Sequence, residues 1–342
     1  MNFFPKNCLV TGGAGFIGSH FIHYCQTHYP QQRLINLDKL TYAACLKNLV
    51  GLPNPESYFF VKGDIADRQL VDALLREFEI DTIVHFAAET HVDRSIQSPE
   101  LFVQTNILGT FALLEACRNY WLEEKKWDSG NCRFHHISTD EVYGSLKKEE
   151  FTFTEITPYA PSSPYSSSKA AADHLVNAYY RTYGLPITMT NCSNNYGPFQ
   201  HREKFIPMVI HQCLTQQSIP VYGDGSNIRD WLYIEDHCKA IDVVIRRGNL
   251  GETYNVGGNA ELSNLEVIYT ICDALSEVKQ ISYDYKKLIN FVNDRPGHDW
   301  RYAINTEKIK HALGWEPKEA FSTGILKVLT FHLSKNESIL IN

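Results

Sequence analysis

Residues 8–29 constrain the fold most. An apolar run, CLVT, enters the glycine-rich stretch TGGAGFIG, and IGSHFIHYCQTHY then repeats apolar residues at intervals of three and four. That order predicts a strand, a tight turn and a helix packed back on the strand. The change of period recurs along the chain. RLINLD, YFFVKGD, DTIVHFAA and CRFHHIS read as further strands, with RQLVDALLREF and ELFVQTNILGTFALLEACRNYW as helices between them. Parallel strands need crossover connections of this length, so the alternation predicts an α/β fold, a doubly wound parallel sheet with helices on both faces. A helix over 164–183 and a sixth strand, ITMTNCSNNYG, complete that unit.

Past Gly197 the pattern changes to short segments rich in Pro, Gly and Asn (GPFQHREKFIP, VYGDGSNIRDW, NVGGNAELS, NDRPGHDW) between modest helices. The expected division is residues 1–197 as the sheet unit. Residues 198–335 are expected mainly as a smaller C-terminal α/β substrate-binding region, with some chain crossing back to the sheet. A chain of 342 residues, 44% hydrophobic, can bury cores of that size. The net charge of -7 and the absence of Lys/Arg runs argue against nucleic acid as a partner. No apolar run is long enough to span a membrane, and MNFFPKNCLVTGG does not read as a secretory leader. The nine cysteines are scattered and form no CxxC. Free thiols, no metal site and a cytoplasmic location are expected.

Gly12, Gly15 and Gly18 lie in the predicted strand–turn–helix. Glycines there allow a tight turn, close approach of backbone to a pyrophosphate and close helix–sheet packing, with the helix N-terminus facing the phosphate charge. The sheet is therefore expected to be of the Rossmann type. Asp38 ends the second strand, where a carboxylate accepts hydrogen bonds from ribose hydroxyls and repels a 2′-phosphate, so NAD is favoured over NADP. Asp64 ends the third strand, where an adenine contact falls.

Two further stretches carry chemistry. In PYSSSKAAADH, Tyr165 and Lys169 share one face at the start of a helix, so an ammonium can sit beside a phenol and lower its pKa towards a useful base. Ser138 or Thr139, at the end of the fifth strand, can hydrogen-bond the same substrate hydroxyl. Asp140 and Glu141 follow immediately in HHISTDEVYG. Two adjacent carboxylates repel, which raises one apparent pKa and suits an acid–base pair.

TGGAGFIG, the Ser-Thr strand end and YSSSK together resemble the extended short-chain dehydrogenase/reductase superfamily. STDEVYG, DKLTYAACLKNL, HFAAETHVDRSI, NCSNNYGP, GDGSNIRDWLYIEDH and NDRPGHDWRYAIN narrow this to a resemblance with the dTDP-glucose 4,6-dehydratases of bacterial deoxysugar synthesis, over residues 7–330. The related 4-epimerases keep the Tyr and Lys but lack the acid pair. The resemblance implies oxidation of the sugar at C4, elimination of water across C5 and C6, and return of hydride to C6. Tyr165 is then the base at C4 with Thr139 and Lys169 beside it, Glu141 the base at C5, and Asp140 the acid at the C6 hydroxyl. It also implies NAD contacts from Phe16, Ile17, Lys39, Thr41, Ile65, Ala87, Ala88, Thr105 and Asn195, besides Gly12, Gly15, Gly18, Asp38, Asp64, Tyr165 and Lys169. Implied substrate contacts are Thr90, Thr139, Asn194, Lys204, Pro220, Tyr222, Arg229, Asn264, Arg295 and His298. A homodimer formed by helices near 100–120 and 165–182 is implied as well. The chain departs from the family pattern at Ala44-Cys45, at His201-Arg202 before Glu203-Lys204, and at Trp300. The alternatives are a dehydratase or 4-epimerase acting on a UDP-, CDP- or GDP-linked sugar.

Overall fold

The computed structural model describes residues 2–294 and 297–340. Its first half runs β1 (Asn7–Thr11), α1 (Phe16–His28), β2 (Arg33–Asp38), β3 (Tyr58–Lys62), α2 (Arg68–Glu77) and β4 (Thr82–His85). Then come α3 (Val92–Gln97), α4 (Pro99–Phe102), α5 (Thr110–Cys117), β5 (Arg133–Thr139), α6 (Pro164–Tyr183) and β6 (Ile187–Cys192). The second half contains β7 (Asn194–Tyr196), α7 (Phe205–Thr215), β8 (Ile219–Tyr222), β9 (Ile228–Tyr233), α8 (Ile234–Arg247) and β10 (Thr253–Val256). It ends with β11 (Glu261–Ser263), α9 (Asn264–Lys279), β12 (Ile289–Val292), α10 (Glu307–Leu313) and α11 (Phe321–Leu340).

Seven strands form one parallel sheet in the order β10-β6-β5-β4-β1-β2-β3. β1 pairs with both β2 and β4, so the winding direction reverses there and the chain diverges above Thr11, opening a crevice at the carboxyl edge. Alternate residues feed two cores. Cys8, Val10 and Leu34 face α1, α7 and α8, whereas Leu9, Ile35 and Leu37 face α2, α5 and α6. Burial on both faces is why these strands read as continuous apolar runs. Each such fully buried aliphatic side chain contributes about 1.5–3 kcal/mol.

Two elements differ from expectation. ITMTNCSNNYG splits at Ser193, so that β6 stays in the central sheet while β7 leaves to pair with β9. β10, which runs into the segment NVGGNAELS and was not expected as a strand, pairs with β6 as a seventh strand. It is short and carries a fully buried polar residue, Asn255. Tyr143 donates to the Asn255 side chain at 2.9 Å and Asn255 donates to the Phe153 carbonyl at 3.2 Å, which makes that burial tolerable. The helix expected over 100–121 is one helical run from Pro99 to Glu124, with wide π turns at Val103–Gly109 and Arg118–Glu124.

Candidate active site

A cleft of about 790 Å³ lies over the carboxyl ends of β1, β2, β4, β5 and β6. Every residue expected to contact the cofactor lines it: Gly12, Gly15, Phe16, Ile17, Gly18, Asp38, Lys39, Thr41, Asp64, Ile65, Ala87, Ala88, Thr105, Tyr165, Lys169 and Asn195. Gly12 has φ +71°, and a Cβ there would stand 2.7 Å from the Ala87 backbone. A Cβ on Gly18 would stand 2.4 Å from the Gly12 carbonyl oxygen. No side chain caps α1, whose first N–H groups open into the crevice as a cradle for a diphosphate. The half of the cleft above β2 carries Asp38, whose carboxylate accepts from the Ala14 N–H at 2.9 Å and the Leu40 N–H at 2.8 Å. Burial nevertheless pushes Asp38 above the usual carboxylate range. Lys39 and Asp64 pair at 2.6 Å beside it. Burial raises Asp64, but the bonds from Lys39 and the Ala66 N–H outweigh it and hold that carboxyl low. These residues fit NAD: the glycines leave room for the diphosphate, and the Asp38 carboxylate disfavours a 2′-phosphate.

The expected chemical residues, Thr139, Asp140, Glu141, Tyr165 and Lys169, meet at the other end of the same cleft. Thr139 ends β5, and a 3₁₀ turn, Asp140–Tyr143, carries the acids. The Thr139 hydroxyl accepts from the Glu141 N–H and donates to Asp140, each at 3.3 Å. α6 begins with a reciprocal cap between Ser163 and Ser166 and Pro164 in its first turn, so Tyr165 is fixed at the helix start. Gly184, left-handed at φ 72°, ends it.

The two carboxyls are not equivalent. Asp140 is 1% exposed and Glu141 is half-buried. Burial, then the charges of Glu141 and Asp230, push Asp140 well above the usual range, against Arg229 and the Thr139 bond. Asp140 is therefore the carboxyl of the pair that favours its protonated form, and its Oδ2 finds no partner among the described residues. Tyr165 is also raised, first by burial and then by Glu141 and Cys192, while a hydrogen bond with Thr139 lowers it. The expected lowering by Lys169 does not appear: burial of Tyr165 dominates, and the Lys169 ammonium donates to the Ile137 carbonyl at 2.7 Å. Between the two candidate hydroxyls, Thr139 bonds Tyr165, and Ser138 donates to Asp173 at 2.8 Å.

The expected substrate contacts fall into two groups. Thr90, Thr139, Asn194 and Lys204 line the cleft. The Lys204 ammonium donates to the Thr90 carbonyl at 3.1 Å, and the buried Asn194 Oδ1 has no partner among the described residues. Pro220, Tyr222, Arg229, Asn264 and His298 lie outside that lining, around the ends of β8 and β9 and the start of α9. His298 meets Asp294 at 2.6 Å and packs edge-on to Tyr222. Arg229 is buried over the Tyr302 ring and donates to the carbonyls of Ile228 at 2.7 Å and Asp299 at 2.9 Å. Arg295 lies outside the described residues.

Several lining residues were not singled out from the sequence, among them Glu89, Gln104, Cys192, Gln200 and His201. Glu89 sits inside the AAET turn already chosen for Thr90, so its neighbour was the available signal. His201, at one of the departures from the family pattern, packs edge-on to Tyr42 at 5.7 Å.

The sheet order, the glycine turn and the Thr139–Tyr165–Lys169 group define a Rossmann-fold protein of the short-chain dehydrogenase type. A family model described as GDP-mannose 4,6 dehydratase matches residues 9–328, and the chain belongs to that family. Within it, the chain is 50% identical over 337 residues to dTDP-glucose 4,6-dehydratase 1 of Escherichia coli strain K12, covering 96% of this chain and 93% of that one. Among solved structures, the dTDP-glucose 4,6-dehydratase of Bacillus anthracis in complex with NAD superposes with TM-score 0.86 at 45% identity, over 97% of this chain and 98% of that one. DesIV, the dTDP-glucose 4,6-dehydratase of Streptomyces venezuelae, with NAD and dTDP bound, gives TM-score 0.88 at 40% identity over 97% and 98%.

Proposed function

We propose that this protein is an NAD-dependent hydro-lyase that converts dTDP-glucose to dTDP-4-keto-6-deoxyglucose. The observation that carries the reading is the split environment of the acid pair: a buried, neutral Asp140 beside a half-buried Glu141, both at the cleft next to Tyr165. NAD supplies the hydride acceptor at C4 and later the hydride donor at C6. The protein residues move the protons. Tyr165 takes the C4 hydroxyl proton, with the Thr139 hydroxyl bonded to its phenol oxygen. Once C4 is a ketone the C5 proton is acidic. Glu141 removes it, and Asp140, holding a proton at neutral pH, gives that proton to the C6 hydroxyl, which departs as water; Glu141 then returns a proton to C5 as hydride adds at C6. A 4-epimerase needs no such acid, so Asp140 favours dehydration.

Lys204 and Thr90 are assigned to the diphosphate and sugar, since a charge-assisted bond to phosphate gives a lysine at the cleft of an acidic protein a use. Asn194 Oδ1 is assigned to a sugar hydroxyl, which would satisfy it. Tyr222, Asn264, Arg295 and His298 are assigned to the nucleoside end. Arg229, whose guanidinium is bound to backbone carbonyls, is assigned to holding the β9 side of the site and to moderating Asp140. The substrate for which those relatives are named supports dTDP-glucose over other nucleotide sugars. We further propose a homodimer through the 99–124 run and α6, because Val103, Leu108 and Phe111 leave large apolar side chains exposed there. The expected compartment is the cytoplasm: none of the nine cysteines is in a disulfide, and no helix of the described residues is long and apolar enough to cross a membrane.

The test is a panel of dTDP-, UDP-, CDP- and GDP-linked glucose and mannose, each followed for loss of water by mass spectrometry. The expected result is conversion of dTDP-glucose with the highest kcat/KM. A higher kcat/KM for another nucleotide would move the substrate assignment, and sedimentation as a monomer at micromolar concentration would overturn the dimer.

A further inference from the structure

Lys169 and Asp173 are four residues apart on one face of α6, and both are buried. A buried ammonium is costly unless something opposes its charge. The hydrogen bonds of Lys169 reach only neutral groups: the Ile137 carbonyl at 2.7 Å and the His136 Nε2 at 3.5 Å. His136 is neutral, since burial and the Lys169 charge push its pKa well down. The same His136 Nε2 stands 3.1 Å from Asp173 Oδ1. Ser138, the last residue but one of β5, donates to the other Asp173 oxygen at 2.8 Å.

The remaining titratable groups facing Lys169 supply no anion at neutral pH. Cys192 on β6 is a thiol pushed up to about 12, His85 on β4 is held neutral by burial, and the Tyr165 phenol is protonated in the resting site. Asp173 is bordered by Tyr159 and His174 besides Ser138, His136 and Lys169. Burial lifts its pKa to about 6, against Lys169 and the bonds from Ser138 and Tyr159, so it is a carboxylate at neutral pH. Among the influences on Lys169, Asp173 is the largest that favours its charged form.

We propose that Asp173 is a positioning residue for oxidation at C4: its carboxylate, held by Ser138 and facing His136, keeps the buried Lys169 ammonium charged beside Tyr165. This inference rests on the assignment of Tyr165 and Lys169 to that oxidation. It gives Ser138 a place supporting Asp173, with Thr139 left to face the phenol.

The experiment compares the NAD-loaded wild type with Asp173→Asn and Asp173→Glu. Asp173→Ser repeats the charge removal if the Asn variant fails to fold. With dTDP-glucose, the alkaline limb of the kcat profile should move down by about 1 pH unit or more in the neutral variants. The deuterium isotope effect from C4-labelled substrate should rise, KM should stay within about twofold, and the Glu variant should restore the limb. A second readout needs no substrate. Relative to wild type, Asp173→Asn should gain thermal stability between about pH 4 and pH 6, because the wild-type carboxyl, raised to about 6, gives up its proton in the fold at a cost that Asn escapes. It should gain again at alkaline pH, where the variant's Lys169, without the carboxylate, loses its proton before the wild-type lysine does. A stability difference that stays flat above pH 7 overturns the proposal whatever the substrate is. So does a lower kcat with an unmoved limb and an unchanged isotope effect. An inactive wild type with that alkaline gain would contradict the assigned reaction and leave the charge pairing supported.

Discussion

Replacing Asp140 by Asn should make the protein more stable at neutral pH while nearly stopping water elimination. In the unfolded chain an aspartate titrates near ~3.9. In the fold, burial and the neighbouring acids hold the Asp140 proton to a much higher pH. Between those two values the native state binds the extra proton, so stability falls as pH rises through that window. Each unit by which the native pKa exceeds the unfolded one removes about 1.4 kcal/mol once the pH is above both. Asn is neutral at every pH and can still accept the Thr139 bond, so it escapes that loss. The other raised carboxyls, Asp38, Asp81, Glu89, Asp173 and Asp230, are common to both proteins, and all but Asp230, which acts on Asp140 itself, cancel in the difference. Urea unfolding at pH 4 to 9 should therefore give equal stabilities near pH 4 and a growing advantage for Asp140→Asn above it. Losing the proton donor should lower elimination about 10²–10⁴-fold, equivalent to about 2.7–5.5 kcal/mol in the barrier. C4 oxidation precedes that step, so mixing the variant with dTDP-glucose should leave enzyme-bound NADH, visible at 340 nm. A variant less stable than wild type at pH 7, or one that turns over without accumulating NADH, would refute the view of Asp140 as a buried neutral acid.

Three other substitutions separate the remaining roles. Tyr165→Phe should abolish NADH formation itself, including in combination with Asp140→Asn, as read by single-turnover absorbance. Gly12→Ala forces a side chain into the left-handed region at about 1–2 kcal/mol and against the Ala87 backbone, so the purified protein should lose bound NAD, measured by extraction and chromatography. Ser163→Ala removes the acceptor for the Ser166 N–H at the start of α6, and urea unfolding should show a loss of about 1 kcal/mol at unchanged m.

The sheet was legible because its strands and helices differ in apolar period, and α6 occupies the expected span of 164–183. Much of the cleft lining, such as Gly12, Asp38, Asp64 and Ala87, was legible because it sits on successive turns directly after strands, where local sequence and position in the sheet coincide. β10 was not legible. Asn255 is tolerable in a buried strand only because Tyr143 and the Phe153 carbonyl, about a hundred residues earlier, meet its side chain. The surroundings of Arg229 were hidden for the same reason, since the Asp299 carbonyl that accepts from it lies 70 residues on. The sequence places Asp140 and Glu141 side by side, and their inequality comes from burial, which no local pattern encodes.

The central claim is an internal oxidation and reduction that ends in loss of water. The most direct test is to incubate the protein, without added reductant, with dTDP-glucose carrying deuterium at C4, and to follow the product by mass spectrometry and NMR. The account predicts a product lighter by one water, with a ketone at C4 and the deuterium at C6. Recovery of dTDP-galactose with no water lost, or a dehydrated product with no deuterium at C6, would contradict it.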